Sequence, residues 1–282
     1  MIEVLTSGVF DTIQDKGRFG VQNFGVPYSG VMDSYASNLA NSILGNAQEA
    51  ALIESTFTGP KLKFHINTMI SITGAQMQPA LNGIAIKNNT AISVNSNDIL
   101  SFGKLQYGLR MYIAVLGGFL TEEKLFSRSM YTNITSKFRL QRGDMLPIHS
   151  SDARRSITFS AIKIDSDHFH NPLIDVLKGP EFDKLSPLQQ EALYDIELTV
   201  SNESNRMAYQ FNERFKNDLA PIITSLVLPG TVQLTPSGQL IILMKDCQTT
   251  GGYPRIFQLT SASLNRLSQK IFGDKTRLKC KK

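Results

Sequence analysis

Ile66-Asn67-Thr68-Met69-Ile70-Ser71-Ile72-Thr73-Gly74 roughly alternates apolar and polar residues and stops at a small polar turn. A period of two marks a strand with one buried face, and β-branched isoleucines fit a pleated surface. Further along, Pro79-Ala80-Leu81 and Ile84-Ala85-Ile86 flank Asn82-Gly83. A two-residue hairpin turn needs positive φ at both central residues, which Asn and Gly tolerate, so this stretch predicts a β-hairpin. Ala91–Val94, Ile99–Phe102 and residues 111–116 read as strands. So do residues 198–200, 231–235 and 240–244, the last two joined by Pro236-Ser237-Gly238.

Helices are few. Asp33 predicts an N-cap, with Tyr35, Leu39 and Ile43 as the apolar face and Gly45 as the stop. Ser186-Pro187-Leu188-Gln189 is a capping-box pattern opening a helix through Tyr194. Ser261 or Ser263 opens a third, with Leu264, Leu267 and Ile271 inward and Gly273 beyond. Many short strands with scattered helices predict a mainly β (β-rich α+β) protein, and the absence of βαβ alternation excludes a Rossmann sheet.

A loose internal echo joins the halves. Gly59-Pro60 precedes a strand, a polar turn, a hairpin and a strand ending in Gly117-Gly118. Gly179-Pro180 is read the same way, down to Gly251-Gly252. The echo predicts two similar β-domains, residues 1–165 and 166–282, with the N-terminal segment able to pack on the second. The boundary lies near residues 160–178, where Asp165, Asp167, His170, Asn171 and Pro172 cluster.

The chain has 282 residues, 41% hydrophobic and 19% charged, enough to bury cores and incompatible with wholesale disorder. No apolar run approaches the roughly 20 residues of a membrane helix. Met1-Ile2-Glu3-Val4 is not a secretory start, and Cys247 and Cys280 make no disulfide framework, so a reducing cytoplasm is expected. The net charge of +5 gathers near the end, where Arg266, Lys270, Lys275, Arg277, Lys279, Lys281 and Lys282 face Asp274. No aromatic residues interleave these charges, so they read as a solvated, partly frayed terminus rather than a nucleic-acid surface. A basic chain also suits small anionic substrates.

No Gly-x-Ser-x-Gly elbow and no P-loop is present. Asp165, Asp167, His168 and His170 match no zinc spacing, so no metal is expected. Cys247 stands beside Asp246, which raises a thiol pKa and argues against a nucleophile. Two glycine-bearing segments remain. Residues 20–33 run through Ser29-Gly30 into the helix start at Asp33, and free N–H groups there form a natural anion site. Gln248-Thr249-Thr250-Gly251-Gly252-Tyr253 combines an amide, two hydroxyls and a Gly-Gly turn. Each also reads as an ordinary turn.

Asp11-Thr12-Ile13-Gln14-Asp15-Lys16-Gly17-Arg18-x-Gly20 followed by Gly25-Val26-Pro27-x-Ser29-Gly30-x-Met32-Asp33 resembles the opening signature of the biotin-dependent carboxyltransferase / allophanate-hydrolase subunit 2 family. Gly45-Asn46, residues 50–54, Thr73-Gly74-Ala75 and Arg110-x-Tyr112-x-Ala114-Val115-x-Gly117-Gly118 continue it. Ser127-Arg128-Ser129, Arg142-Gly143-Asp144, Ser204-x-Arg206-Met207, Pro229-Gly230-x-Val232-Gln233 and Asp246-x-Gln248-Thr249-Thr250-Gly251-Gly252-Tyr253-Pro254 complete it in order. The chain departs from the family at Cys247, where arginine is common, at Ala208, where glycine is usual, and at Thr224-Ser225-Leu226, where a Ser-Glu-Gly-like run is common.

The resemblance implies two cyclophilin-like β-barrel domains and a protein of the KipA type, the C-type component of 5-oxoprolinase. Such a protein works with two partners, the KipI-like B-type and the A-type components of that enzyme. Together they use ATP, with magnesium as counter-ion, to phosphorylate 5-oxo-L-proline for hydrolysis to L-glutamate. Phosphorylating a poor lactam electrophile is a matter of positioning and charge neutralisation rather than a protein nucleophile. On this reading Asp246, Gln248, Thr249 and Thr250 are the catalytic group. Arg18, Ser29, Gly30, Arg128, Arg206, Gln233, Gly251, Gly252 and Tyr253 bind substrate or ATP. The alternatives are a urea-carboxylase-like carboxyltransferase component and a non-catalytic partner of a KipI-like kinase inhibitor. Biotin on this chain is not expected, since Lys245 lies in Met244-Lys245-Asp246 at the edge of an expected strand rather than in Met-Lys-Met.

Overall fold

The computed structural model describes residues 1–149, 165 and 167–281. These residues are mostly strand, with four α-helices. They fall into two compact units, one of Met1–Gly17 with Ser29–His170 and one of Arg18–Tyr28 with Asn171–Lys282. The expected boundary at 165/166 meets Ser166, outside the described residues.

The first unit holds two antiparallel sheets. One has six strands in the order Met145–Leu146, Ile2–Thr6, Lys61–Phe64, Ile99–Phe102, Pro79–Leu81, Ile84–Ala85. The other has five, Phe10–Gln14, Leu52–Thr56, Tyr107–Val115, Thr68–Gln76, Ala91–Val94. Strand alternation sorts the core. Met111, Ile113 and Val115 join Ile2, Phe64 and Leu100 in one cluster drawn from both sheets, while Tyr112, Ala114 and Leu116 point to the opposite face. The expected hairpin is present, with Asn82 at φ 52° and Gly83 at φ 79° and Leu81 opposite Ile84.

The helix Ser34–Leu44 covers that opposite face. Asp33 caps it by accepting from Ala36 N at 3.1 Å, and Gly45 ends it in the left-handed conformation. Its buried face is Ala36, Ser37, Ala40, Asn41 and Leu44, one position round from the expected Tyr35, Leu39 and Ile43. Small residues win because the helix lies close on the sheet. Ser71 Oγ donates to Ala40 O at 2.6 Å and Thr73 Oγ1 to Ala36 O at 2.7 Å.

In the second unit seven strands run Leu198–Thr199, Lys275–Cys280, Leu173–Lys178, Arg255–Leu259, Thr231–Leu234, Gln239–Leu243, Ala208–Arg214. Ser225–Leu226 and Thr250–Gly251 form a separate two-stranded ladder. The helix Pro187–Asp195 carries the full Ser186/Gln189 capping box. The last helix spans Ser261–Ser268 behind Thr260, so the cap is one residue earlier than expected and Ile271 lies beyond its end.

Two expectations fail here. The basic terminus is a strand pairing in parallel with Leu173–Lys178, with Lys275 and Arg277 held by Glu197 at 2.6 and 3.4 Å. Backbone pairing overrides the charge repulsion that suggested fraying. Gly179-Pro180 does not precede a strand; it leads into the turn Phe182–Lys184 and the capped helix, so the internal echo breaks at that point.

Candidate functional site

The N-terminal signature of the first unit closes on itself. The Asp15 carboxylate accepts from Gly17 N at 2.8 Å, Ser127 Oγ at 2.6 Å, Ser129 Oγ at 2.7 Å and Arg128 N at 2.6 Å. Its carbonyl accepts from Val31 N at 2.9 Å. Ser29 is buried at φ 54°, and Gly30 at φ 83° passes so close that a Cβ would sit 2.8 Å from Gly17 N. The structure thus gathers Asp15, Ser29-Gly30 and Ser127-Arg128-Ser129 into one knot. The Arg128 guanidinium donates to Thr121 O and pairs with Glu123 at 3.0 Å. Arg128 also lines a cavity of about 230 Å³ with Lys137, Asp144 and Met130, in which Lys137 pairs with Asp144.

The expected anion site at the start of the helix Ser34–Leu44 is filled from within. Asp33 is fully buried; one oxygen caps the helix, and the other lies 2.7 Å from His168 Nε2. Tyr112 accepts from Asp33 N and donates to Glu54, whose carboxylate also faces Arg110 at 3.9 Å. Burial is the main cause that pushes the Tyr112 hydroxyl well above its ordinary range, with the Glu54 charge adding to it. Among the described residues no three His, Cys, Asp or Glu side chains gather as a metal site.

In the second unit the C-terminal signature forms a stem and a loop. The strand Gln239–Leu243 delivers Asp246, which takes a bidentate pair from Arg206, Nε at 2.7 Å and Nη2 at 3.1 Å. The backbones lock too, with Asp246 N donating to Arg206 O at 3.0 Å. A Cys247 thiol follows, buried with Ala208, Val227 and Leu243. Burial first, then the Asp246 charge, pushes this thiol up to about 12, so it stays protonated and is no nucleophile. Two departures from the family pattern, Cys247 and Ala208, therefore share one apolar cluster.

Beyond the stem, Val227 N donates to Thr249 O and Ile222 N to Gly252 O, and Leu226 pairs with Thr250. These bonds fix the loop backbone while Thr250 and Tyr253 remain exposed. Gln233, from the strand Thr231–Leu234, reaches in from below. A Cβ on Gly251 would lie 2.6 Å from Gln233 Nε2 and 3.5 Å from Gln248 Nε2. Gln233, Gln248, Thr249, Thr250, Gly251, Gly252, Tyr253, Arg206 and Asp246 thus lie in one neighbourhood. Arg18 belongs to this unit and is wholly buried; its N–H donates to Tyr28 O at 2.7 Å.

The sequence reading missed Arg255. Its guanidinium grips Glu181 through Nε and Nη2, both at 3.0 Å, and reaches Ser225 Oγ at 2.5 Å and Leu226 O at 3.2 Å. It thereby pins the strand that supports the loop, and its hydrogen bonds hold the Glu181 carboxyl below the usual carboxylate range. Its place just after Pro254 was the available signal.

Residues 24–280 match the family described as the carboxyltransferase domain, subdomain A and B. The chain belongs to this family. It is 30% identical over 279 residues to the 5-oxoprolinase C subunit of Escherichia coli, covering 97% of this chain and 89% of that protein. It is 32% identical over 281 residues to the 5-oxoprolinase C subunit of Haemophilus influenzae, with the same coverages. Among solved structures, urea amidolyase of K. lactis superposes with a TM-score of 0.88 at 28% identity, over 98% of this chain and 18% of that one. These structural neighbours share the fold, mostly strands with four helices among the described residues.

Proposed function

We propose that the chain is the C-type subunit of an ATP-dependent 5-oxoprolinase that converts 5-oxo-L-proline to L-glutamate with B-type and A-type partner proteins. The observation that carries this is end-to-end similarity to two 5-oxoprolinase C subunits over most of their length. The site chemistry agrees with it. No activated nucleophile is present at the second-unit loop, and a rigid backbone there presents amides and hydroxyls suited to positioning an amide oxygen.

The arginines expected to clamp phosphates are engaged within the chain, Arg128 with Thr121 O and Glu123 and Arg206 with Asp246. In this reading the chain contributes the amide-positioning half, and the partner supplies most contacts to the ATP phosphates and their magnesium. Assembly is needed for turnover, and the complex acts in the cytoplasm. The likeness to urea amidolyase favours one second reading, a carboxyltransferase fed by biotin carried elsewhere.

Co-expression with the partner chains, purification and measurement of ADP release separate these readings. The expected result is ADP release dependent on 5-oxo-L-proline only with all partners present. Activity with urea and a biotinylated carrier instead would overturn it, as would partners that elute apart at micromolar concentration.

A further inference from the structure

Buried polar groups in folded proteins nearly always find partners, so those that do not are informative. In the second unit Gln233 is 1% exposed, yet its Nε2 meets no hydrogen-bonding atom among the described residues. The same holds for the buried Oε1 of Gln248. Both amide heads flank the place where Gly251 lacks a Cβ, and a Val227 methyl lies 3.5 Å from that point. A buried donor and a buried acceptor left unmatched in this way are costly, so a ligand that satisfies both is favoured there.

We infer that Gln233 and Gln248 read the edge of a cis-amide, Gln233 donating to the substrate carbonyl and Gln248 accepting from the neighbouring N–H. A lactam ring holds its C=O and N–H side by side, and urea presents the same pair. A carboxylate, which only accepts, does not satisfy both amides. The glycine at 251 is what lets the Gln233 amide come this close to the loop, since a Cβ there would lie 2.6 Å from Gln233 Nε2. This inference rests on the 5-oxoprolinase reading for its substrate and on the two amides for its chemistry.

The test measures calorimetric binding to the full chain, alone and with its co-expressed partners. The probes are 5-oxo-L-proline, its lactone counterpart with ring oxygen in place of N–H, and urea. Wild type is expected to prefer the lactam over the lactone by about ten-fold, the size of one neutral hydrogen bond. Gln248→Met should bring that ratio close to one. Gln233→Met should weaken both ligands by about ten-fold and leave the ratio unchanged. If a methionine variant melts early, Gln248→Glu keeps length and acceptor and should retain the preference.

Equal binding of lactam and lactone by wild type overturns the inference, as does a ratio that ignores Gln248 or the absence of binding by any probe. Urea binding that needs both glutamines while the lactam is ignored supports the amide-edge inference and sinks the 5-oxoprolinase reading. Turnover of 5-oxo-L-proline with a lactam preference indifferent to both glutamines does the reverse.

Discussion

The Asp15 knot of the first unit and the loop of residues 246–253 in the second are built from the same parts: a glycine turn, hydroxyls, an aspartate and an arginine. They use them differently. In the knot the hydroxyls of the buried Ser127 and Ser129 end on Asp15, as do two backbone N–H groups. In the loop the ion pair Arg206–Asp246 closes the stem, but beyond it two buried amide atoms stay unmatched and two threonines lie toward the surface. A carboxylate taken up by four donors holds chain segments together, even with the neighbouring Ser29 Oγ unmatched, whereas a locked stem with both an unmatched donor and an unmatched acceptor beyond it is what a binding site looks like before its ligand arrives. Sequence signatures of similar appearance therefore carry different work.

The knot is the easiest place to break this contrast. Asp15→Ala strands two buried hydroxyls and two N–H groups, and should cost about 4–5 kcal/mol in urea unfolding. A loss below about 1 kcal/mol would mean that Asp15 is not the clasp. Arg206→Met should come next, at about 3–4 kcal/mol, because it leaves Asp246 nearly buried and unpaired. Arg206→Lys should recover part of that stability but not the bidentate geometry. If Arg206→Met instead leaves stability intact and only weakens ligand binding, the stem is part of the site and the contrast must be redrawn.

Much of this was legible from residues. Period-two alternation and Asn82-Gly83 marked the sheets because strand and turn chemistry are local. Ser186/Gln189 and Asp33 marked helix starts for the same reason. The family blocks named residues 50–54 and Arg110-x-Tyr112 but not that they meet, and the sheet sets Tyr112 opposite Glu54. What was not legible depended on distant partners. The inward face of the helix Ser34–Leu44 was set by Ser71 and Thr73, which no periodicity within the helix reveals. The basic terminus became a strand because Leu173–Lys178 offers it an edge. For the site, the motif named Gln233 and Gln248 but not that they share one glycine's missing side chain, and Arg255 needed Glu181 in view to be noticed.

A third measurement sharpens the first unit's side of the contrast through pH. Asp11, 1% exposed, accepts from Gly8 N at 2.5 Å, and burial pushes its carboxyl up from 3.8 to about 6 despite that hydrogen bond. The folded state therefore holds this proton more tightly than the unfolded chain. Stability from this group is fully present below about 3.8 and is lost as pH rises through about 6. The loss amounts to about 3 kcal/mol for a shift of about 2 pH units. Asp11→Asn keeps an acceptor for Gly8 N and should flatten that part of the stability profile, leaving the variant more stable than wild type at pH 7. An unchanged slope between about pH 4 and 6 would show that Asp11 is not held in its neutral form.

The smallest effect on folding is expected at Thr250, and there it is most diagnostic. Its backbone pairs with Leu226 in the two-stranded ladder, and its side chain is exposed. Valine has the same shape and favours strands, so Thr250→Val should change stability by less than about 0.5 kcal/mol. A hydroxyl that donates to a charged group of the bound substrate is worth about 1.5–3 kcal/mol, so turnover by the assembled complex should fall roughly 10- to 100-fold. The pair of readings matters more than either alone. Kinetics equal to wild type would assign Thr250 to the ladder rather than the ligand. A variant that unfolds would make the loop a second structural knot, and the distinction between the two units would collapse.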